Sequence, residues 1–151
     1  MAKPHIHAQS SARKYGGKPE DYEEIHAFMD SSKNAMPDNR HRALTHNSWF
    51  LSTILERIKF SNSGPGTSDN RYPTIINSVG RTVSVRDIGE QHILEDYGGR
   101  FIPSAQDFLQ EIEYKPWMQN GNGVPSSFEK VEAKKRQRVI IHTVVPAELK
   151  D

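Results

Sequence analysis

The chain has 151 residues, of which 34% are hydrophobic, and its 20 basic and 19 acidic residues leave a formal net charge of +1. This length predicts one domain with a single core, and the balanced charge excludes a global electrostatic attraction to nucleic acid or to an anionic membrane. The absence of cysteine excludes disulfides, iron–sulfur clusters and thiolate zinc sites and suits a cytoplasmic location, and no segment approaches the roughly 20 apolar residues of a membrane span.

Two short helices are predicted near the N-terminus. Residues 5 to 15 form the first, which Gly16 and Gly17 end because glycine readily adopts a left-handed conformation. Pro19 starts the second, since proline is tolerated in a first helical turn. His26 lies beside the apolar stripe of this helix, and Asp30 follows one turn later. The stripe itself consists of Tyr22, Ile25, Phe28 and Met29.

A longer helix, capped by Asp38 or Asn39 and ending near Phe60, is predicted to be the central element. Asn47 falls in the middle of its apolar arc, and Arg40 lies on the same line seven residues earlier. His41 flanks the arc, whereas Arg42 and His46 are predicted to point elsewhere. The arc contains Leu44, Phe50, Leu51, Ile54, Leu55 and Ile58.

The next segments predict a loop, a hairpin and two further helices. Residues 61 to 70 are rich in Ser, Gly and Asn and predict an exposed loop, and two β-branched runs within 74–85 predict a hairpin. Residues 87 to 96 predict a short helix. Ser104 and Asp107 resemble a capping box that starts another helix, whose expected buried face contains Phe108, Leu109 and Ile112.

The fold class predicted from these patterns is mainly α with a small β-hairpin. A single helical domain covers residues 1–117, and residues 118–151 are expected to form a linker and an extended C-terminal arm. The apolar run at 139–145 resembles a strand, and an unpaired strand at a chain end favours a partner edge. Assembly into a homo-oligomer through this arm is therefore one hypothesis.

Four motifs follow one another along the chain: His7-xx-Ser10-Ser11-Ala12-xx-Tyr15-Gly16-Gly17, then Asp21-Tyr22-xx-Ile25-His26-xxx-Asp30-x-Ser32-Lys33, then Arg40-His41-Arg42-Ala43, and Gly89-Glu90-Gln91-His92 followed by Glu95-Asp96. In this order they resemble an uncharacterised family of phage and bacterial proteins, a domain of unknown function, over residues 5 to 112. The resemblance implies a phage or mobile-element origin and an intracellular protein of a bacterial host, and it carries no catalytic assignment.

An anion-binding site is the first functional hypothesis. Arg40 on the core-facing line must be paired, and its planar guanidinium suits a phosphate or carboxylate. Its alternative role is a buried ion pair with an acidic residue. The ligand-binding residues predicted on this basis are Arg40, His41, Lys33, Asn47, Glu90 and His92.

A metal site is the alternative hypothesis, because five histidines lie in the motif-bearing region: His7, His26, His41, His46 and His92. Two or three open imidazole nitrogens would have to converge with a carboxylate such as Asp30, Glu90 or Asp96. His26 and Asp30 have the four-residue spacing of a chelating or hydrogen-bonded pair. The predicted ligands are His26, Asp30, His41 and His92, and a divalent metal is the cofactor they imply.

The leading function is therefore binding of an anionic small molecule or a host protein, with an anti-defence role following only from the suspected phage origin. No nucleophile motif or phosphate-binding loop is present, which favours binding over catalysis without deciding whether the protein is an enzyme. The alternatives are a metal-dependent phosphoester hydrolase that uses the His/Asp/Glu cluster, and an assembly protein that acts through its C-terminal arm. The basic cluster at 130–138 lacks interleaved aromatic residues, which disfavours a nucleic-acid partner.

Overall fold

The computed structural model describes residues 3–120 and 122–123. The chain divides into two compact units, Met1–Ile112 and Glu113–Asp151. The first unit contains helices α1 Pro4–Tyr15, α2 Glu23–Asp30, α3 Arg42–Thr45, α4 Ser48–Thr53, α5 Val85–Asp96 and α6 Ala105–Leu109, and strands β1 Thr74–Ile76 and β2 Thr82–Ser84. Short 3-10 turns cover Pro19–Asp21, Ser31–Asn34, Asn39–His41 and Leu55–Arg57, and the described part of the second unit contains α7, Trp117–Asn120.

This architecture confirms the predicted mainly helical fold with one hairpin. The two strands pair antiparallel with Ile75 opposite Val83, and both of these side chains are buried. The hairpin turn is held by Asn77, whose side-chain oxygen accepts hydrogen bonds from the backbone N–H groups of Val79 and Arg81. Gly80 in the same turn has a positive φ of 79°, which a glycine adopts without steric cost.

Helices α1, α2 and α5 pack against one another, and α4 packs on α5. Ile25 and Met29 of α2 meet Ile88 and Ile93 of α5 in one buried core, to which Leu51 of α4 also belongs. Gly89 permits the close approach of α5, because a Cβ atom at this position would lie 2.6 Å from a methyl group of Leu51 and from one of Leu55.

The predicted long central helix is wrong, since the chain bends at His46 and Asn47. Asn47 has an extended backbone, and its side-chain oxygen accepts a hydrogen bond from the N–H of Phe50, so that it caps α4. An asparagine that caps a new helix competes with continuation of the preceding one. Asp38 caps the turn at Asn39–His41 in the predicted manner, by accepting from the N–H of Arg40.

The bend also changes which apolar side chains are buried. Leu44, predicted to face the core, is exposed, because it precedes the bend and α3 does not share the face of α4. The Ser104–Asp107 capping box is present, but Leu109 and Ile112 are exposed rather than buried. The predicted arm, which begins at 118, falls mostly on residue 121 and residues 124–151, outside the described part of the chain. None of the helices described is long and apolar enough to cross a membrane.

Candidate metal centre

Three helices and the bend bring a buried group of histidines and aspartates together. Helix α5 presents His92 and Asp96, one turn apart, toward the end of α2, where Asp30 is the last helical residue. The bend after α3 turns His46 into the same space, and His7 reaches it from α1. Side-chain atoms of Asp30, His46, His92 and Asp96 all lie within 4.8 Å of one another.

Each imidazole in this group faces both carboxylates. His46 Nε2 lies 2.9 Å from Asp96 Oδ2 and 3.8 Å from Asp30 Oδ1. His92 Nε2 lies 3.2 Å from Asp30 Oδ1 and 3.5 Å from Asp96 Oδ2. The four side chains are almost completely excluded from solvent, so the protonation states of these nitrogens decide what the group can bind.

The tautomer of His92 follows from a hydrogen-bond chain that begins at Ser11. The Ser11 hydroxyl donates to a carbonyl oxygen, either that of the Gln91 side chain at 2.9 Å or that of His7 at 3.1 Å. It can then only accept from His26 Nε2, 2.7 Å away, which leaves His26 Nδ1 without a proton. His92 Nδ1, 2.9 Å from His26 Nδ1, must therefore donate to it. A neutral His92 consequently directs the lone pair of Nε2 at the two carboxylates.

A second series of hydrogen bonds, through Thr45, places the proton of neutral His46 on Nδ1 as well. The Thr45 hydroxyl donates to the backbone carbonyl of Met29 at 2.7 Å and lies 2.8 Å from His46 Nδ1. Since its only proton goes to the carbonyl, the hydroxyl accepts from His46 Nδ1–H. His46 Nε2 then also carries a lone pair toward Asp96 and Asp30. Two imidazole lone pairs thus oppose two carboxylates, an arrangement that a cation among them would stabilise.

His7 adds a third nitrogen at the edge of this group. Its Nδ1 lies 3.1 Å from Glu95 Oε1, a pair in which the imidazole N–H donates to the carboxylate. Its Nε2 is buried, has no hydrogen-bond partner and lies 3.4 Å from Asp96 Oδ1. A carboxylate that orients a histidine in this way is the usual partner behind a metal-ligating imidazole.

The electrostatics of the buried group favour neutral histidines beside charged aspartates. Burial, reinforced by the neighbouring His92 and His7, lowers the pKa of His26 to about 2. Burial likewise lowers the pKa of His92. Burial tends to raise the pKa of Asp96, and what holds this pKa well below its usual range is contact with protonated His46 and His7. With neutral rings, a bound cation would have to supply that positive charge.

Burial tends to lower the pKa of His7, but Asp96 and Glu95 outweigh it and raise this pKa. Protonation of His7 is therefore favoured, and a bound cation at the centre would compete with that proton.

The structure separates the residues predicted to bind an anion. Arg40 does not face the core, because it precedes the bend: its side chain is 75% exposed and forms two parallel hydrogen bonds with Asp38. Asn47 caps α4, and Glu90 pairs with Arg86 at the surface. Lys33 lies at the rim of the buried group, with Nζ 3.3 Å from Asp30 Oδ2.

Of the predicted metal ligands, Asp30 and His92 belong to the group of four side chains, whereas His26 and His41 lie outside it. His26 contacts His92 through Nδ1, so its role is to orient that ring. His41 is buried and lies 2.7 Å from the Ser32 hydroxyl, which in turn contacts Thr45. Burial lowers the pKa of His41 to about 4.

Sequence reasoning missed His46, because the assumed continuous helix directed its side chain away from the core. Arg42 was also predicted to point elsewhere, yet its NH2 lies 3.9 Å from Asp96 Oδ1. The sequence did contain an indication of Asp96 as a ligand, because His92 and Asp96 have the same four-residue spacing as His26 and Asp30.

The family model described as "Domain of unknown function (DUF6915)" matches residues 2–118. This match covers more than half of the chain, which therefore belongs to that family, and all residues of the buried group lie within it. No curated protein matches the chain, and no solved structure matches it.

Proposed function

We propose that this member of the DUF6915 family binds one divalent transition-metal ion through Asp30, His46, His92 and Asp96. The observation that carries the proposal is the convergence of two imidazole Nε2 atoms and two buried carboxylates, whose ligand atoms all lie within 4.8 Å of one another. With both histidines neutral and protonated on Nδ1, the two Nε2 lone pairs face the carboxylates. Both tautomers are set by hydrogen bonds that the two histidines donate to groups outside the ligand set, His92 to His26 and His46 to Thr45. Such outer contacts are characteristic of histidines that bind metals.

The spacing of the donors supports this proposal. Metal–ligand bonds of about 2.1 Å in tetrahedral geometry place neighbouring donor atoms about 3.4 Å apart. The four nitrogen–oxygen separations in the group are 2.9, 3.2, 3.5 and 3.8 Å, which bracket that value. The ligands therefore need only small rotamer adjustments to surround an ion.

The donor types indicate which ions fit. Imidazole nitrogen and carboxylate oxygen suit Zn²⁺, Fe²⁺ and similar borderline ions, whereas Ca²⁺ and Mg²⁺ prefer sites made of oxygen alone. Soft ions that select thiolates are disfavoured, since the chain has no cysteine. Zn²⁺ is accordingly the first ion to test.

The placement of the ligands supports a contribution of the ion to folding. The donors come from α2, from the bend before α4 and from α5, segments far apart in sequence, and their side chains are buried. An ion that joins them would stabilise the native state by its binding free energy, because the unfolded chain has no preformed site.

The rival explanation is that protons, rather than a metal, neutralise the group. A second proton on His46 or His92 would convert each opposing contact into an ion pair. Burial disfavours this for His92, whose pKa is lowered. Anion binding at Arg40 has less support than a metal, because that guanidinium already has a bidentate carboxylate partner.

Metal content decides between these explanations. The purified protein, first stripped with a chelator and then incubated with excess Zn²⁺, should retain one ion per chain in native mass spectrometry after desalting. Asp96→Asn should reduce the retained Zn²⁺ strongly. Asp38→Asn, which alters a surface carboxylate, is the matched control and should retain it. Equal retention by both variants, or none by the unaltered protein, would rule out this centre.

Phosphoester hydrolysis at a metal ion is a second candidate function, and the observation that favours it is the proximity of Arg42 to Asp96. The hypotheses of a host-protein target, a phage origin, a cytoplasmic location and assembly through the C-terminal arm stay predictions.

A further inference from the structure

The side of the centre next to Arg42 contains polar atoms that lack partners. Among the described residues, four buried side-chain polar atoms have no hydrogen-bond partner, and three of them surround this centre: His7 Nε2, Asp30 Oδ2 and Arg42 Nε. His7 Nε2 and Arg42 NH2 lie 3.4 and 3.9 Å from the same oxygen, Asp96 Oδ1. Asp30 Oδ2, with Lys33 Nζ 3.3 Å away, and His7 Nε2 are acceptors. Arg42 Nε is the donor among the three, and a buried donor without a partner costs free energy, so its retention calls for an acceptor or another role.

The guanidinium of Arg42 is fixed in place beside the centre. Its central carbon lies 4.9 Å from the ring centroid of Tyr97, which itself stacks on Phe101. The Arg42 side chain is 13% exposed, whereas that of Asp96 is 2% exposed. Arg42 therefore extends from the buried carboxylate toward solvent, and its donors suit a planar or tetrahedral oxyanion.

The formal charges of the group change sign when an ion binds. Three carboxylates, Asp30, Glu95 and Asp96, face two cations, Lys33 and Arg42, which leaves one negative charge with neutral histidines. A divalent ion converts this to one positive charge. This positive charge, in a largely desolvated site, favours an anion as the next ligand.

On these grounds we infer that the metal-loaded centre binds a phosphate group on its Arg42 side, with the phosphate oxygens accepting hydrogen bonds from Arg42. This inference rests on the proposed function, because the phosphate is held jointly by the ion and the guanidinium. The phosphate belongs either to a phosphate monoester or to free inorganic phosphate, and both present the same oxygens.

Cobalt substitution tests the inference separately from the proposed function. Co²⁺ commonly replaces Zn²⁺ in nitrogen and oxygen sites, and its visible absorption reports changes in coordination. Titration of the Co²⁺-loaded protein with inorganic phosphate should shift this spectrum with saturation, and titration with chloride at equal ionic strength should not. Failure to take up Co²⁺ would overturn the proposed function. Uptake followed by no response to phosphate or to phenyl phosphate would overturn this inference alone.

Variants at Arg42 make the test specific. Arg42→Gln should weaken phosphate binding roughly tenfold or more, the effect of losing a hydrogen bond to a charged group, while Co²⁺ uptake persists. Arg42→Lys keeps the charge and serves if the glutamine variant does not fold; it should weaken binding less. Arg86→Gln removes a surface arginine on α5 and should bind phosphate normally. Equal phosphate affinity in the unaltered protein and a folded Arg42 variant would overturn the inference.

A comparison of the two phosphate sources completes the experiment. If phenyl phosphate binds more tightly than inorganic phosphate, the site accepts a monoester, and released phenol would then identify hydrolysis. If inorganic phosphate binds as tightly or more tightly, the ligand is the free ion. Both outcomes support the phosphate site and differ only in its source.

Discussion

His26 and His92 face each other through their Nδ1 atoms at 2.9 Å, so one ring must donate and the other must accept. The Ser11 hydroxyl, which donates to a carbonyl, makes His26 the acceptor at this contact and His92 the donor. Ser11, which lies on another helix, therefore determines through His26 that His92 directs a lone pair at Asp30.

The tautomers can be measured directly. In the metal-free protein near neutral pH, His46 and His92 should carry their proton on Nδ1, and His26 should carry it on Nε2. Long-range ¹H–¹⁵N correlation spectra of the imidazole rings distinguish these forms. An Nε2 proton on His92 together with an Nδ1 proton on His26 would contradict the hydrogen-bond chain from Ser11.

Thr45 orients His46, so its hydroxyl should contribute to metal affinity. Thr45→Val removes the acceptor for His46 Nδ1–H with little change in size, and it should weaken Zn²⁺ binding roughly 10- to 100-fold, as loss of an outer-shell contact does. Thr45→Ser keeps the hydroxyl and is the matched control. Competition with a chromophoric chelator measures both affinities, and equal values for the two variants would show that the hydroxyl does not orient the ring.

The metal-free protein should lose stability as the pH falls below about 6.5, the unfolded pKa of histidine. Folded His26 stays neutral down to a pKa of about 2, while the unfolded chain takes up its proton below about 6.5, so acid favours unfolding. Each such histidine contributes a slope of up to about 1.4 kcal/mol per pH unit, and His41, with its pKa lowered to about 4, acts in the same direction.

The raised pKa of His7 acts in the opposite direction, but its contribution is complete once the pH has fallen to the unfolded value. Urea unfolding in the presence of a chelator, at pH 7.5, 6.5 and 5, tests this balance. The free energy of unfolding should be lowest at pH 5. A value that is constant or higher at pH 5 would mean that these histidines are protonated in the folded state.

Gly89 allows α5 to approach α4 and the turn after it, and this approach places His92 three residues later. Gly89→Ala would bring a methyl group to 2.6 Å from Leu51 and Leu55, and such overpacking costs about 1–3 kcal/mol. Alanine is also more favourable in a helix than glycine by about 1 kcal/mol. The thermal midpoint of Gly89→Ala should therefore fall, but by less than the overpacking cost alone would give. Glu90→Ala, at the neighbouring surface position, should change it little; a rise in the midpoint for Gly89→Ala would contradict the packing argument.

Local signals made much of the fold predictable. The Gly16–Gly17 stop, the hairpin between Thr74 and Val85 and the Ser104 capping box depend on residues close in sequence, and all three are present. The break at Asn47 was not predictable from periodicity, because its apolar neighbours continue a helical pattern. The side-chain cap on Phe50 decides the outcome there.

The candidate site was only partly predictable for the same reason. Asp30 and His92 could be chosen from composition and spacing, but His46 enters the centre only through the backbone conformation of the bend. The roles of His26 and Thr45 depend on which atom donates each proton, and such roles appear only when the partners are seen in space.

Diffraction at the zinc absorption edge, from crystals grown with one equivalent of Zn²⁺, would locate the proposed ion. We expect a single strong anomalous peak about 2.0–2.1 Å from the Nε2 atoms of both His46 and His92, with oxygens of Asp30 and Asp96 completing its surroundings. No peak among these four side chains, or one confined to surface histidines such as His5, would contradict the proposed metal centre.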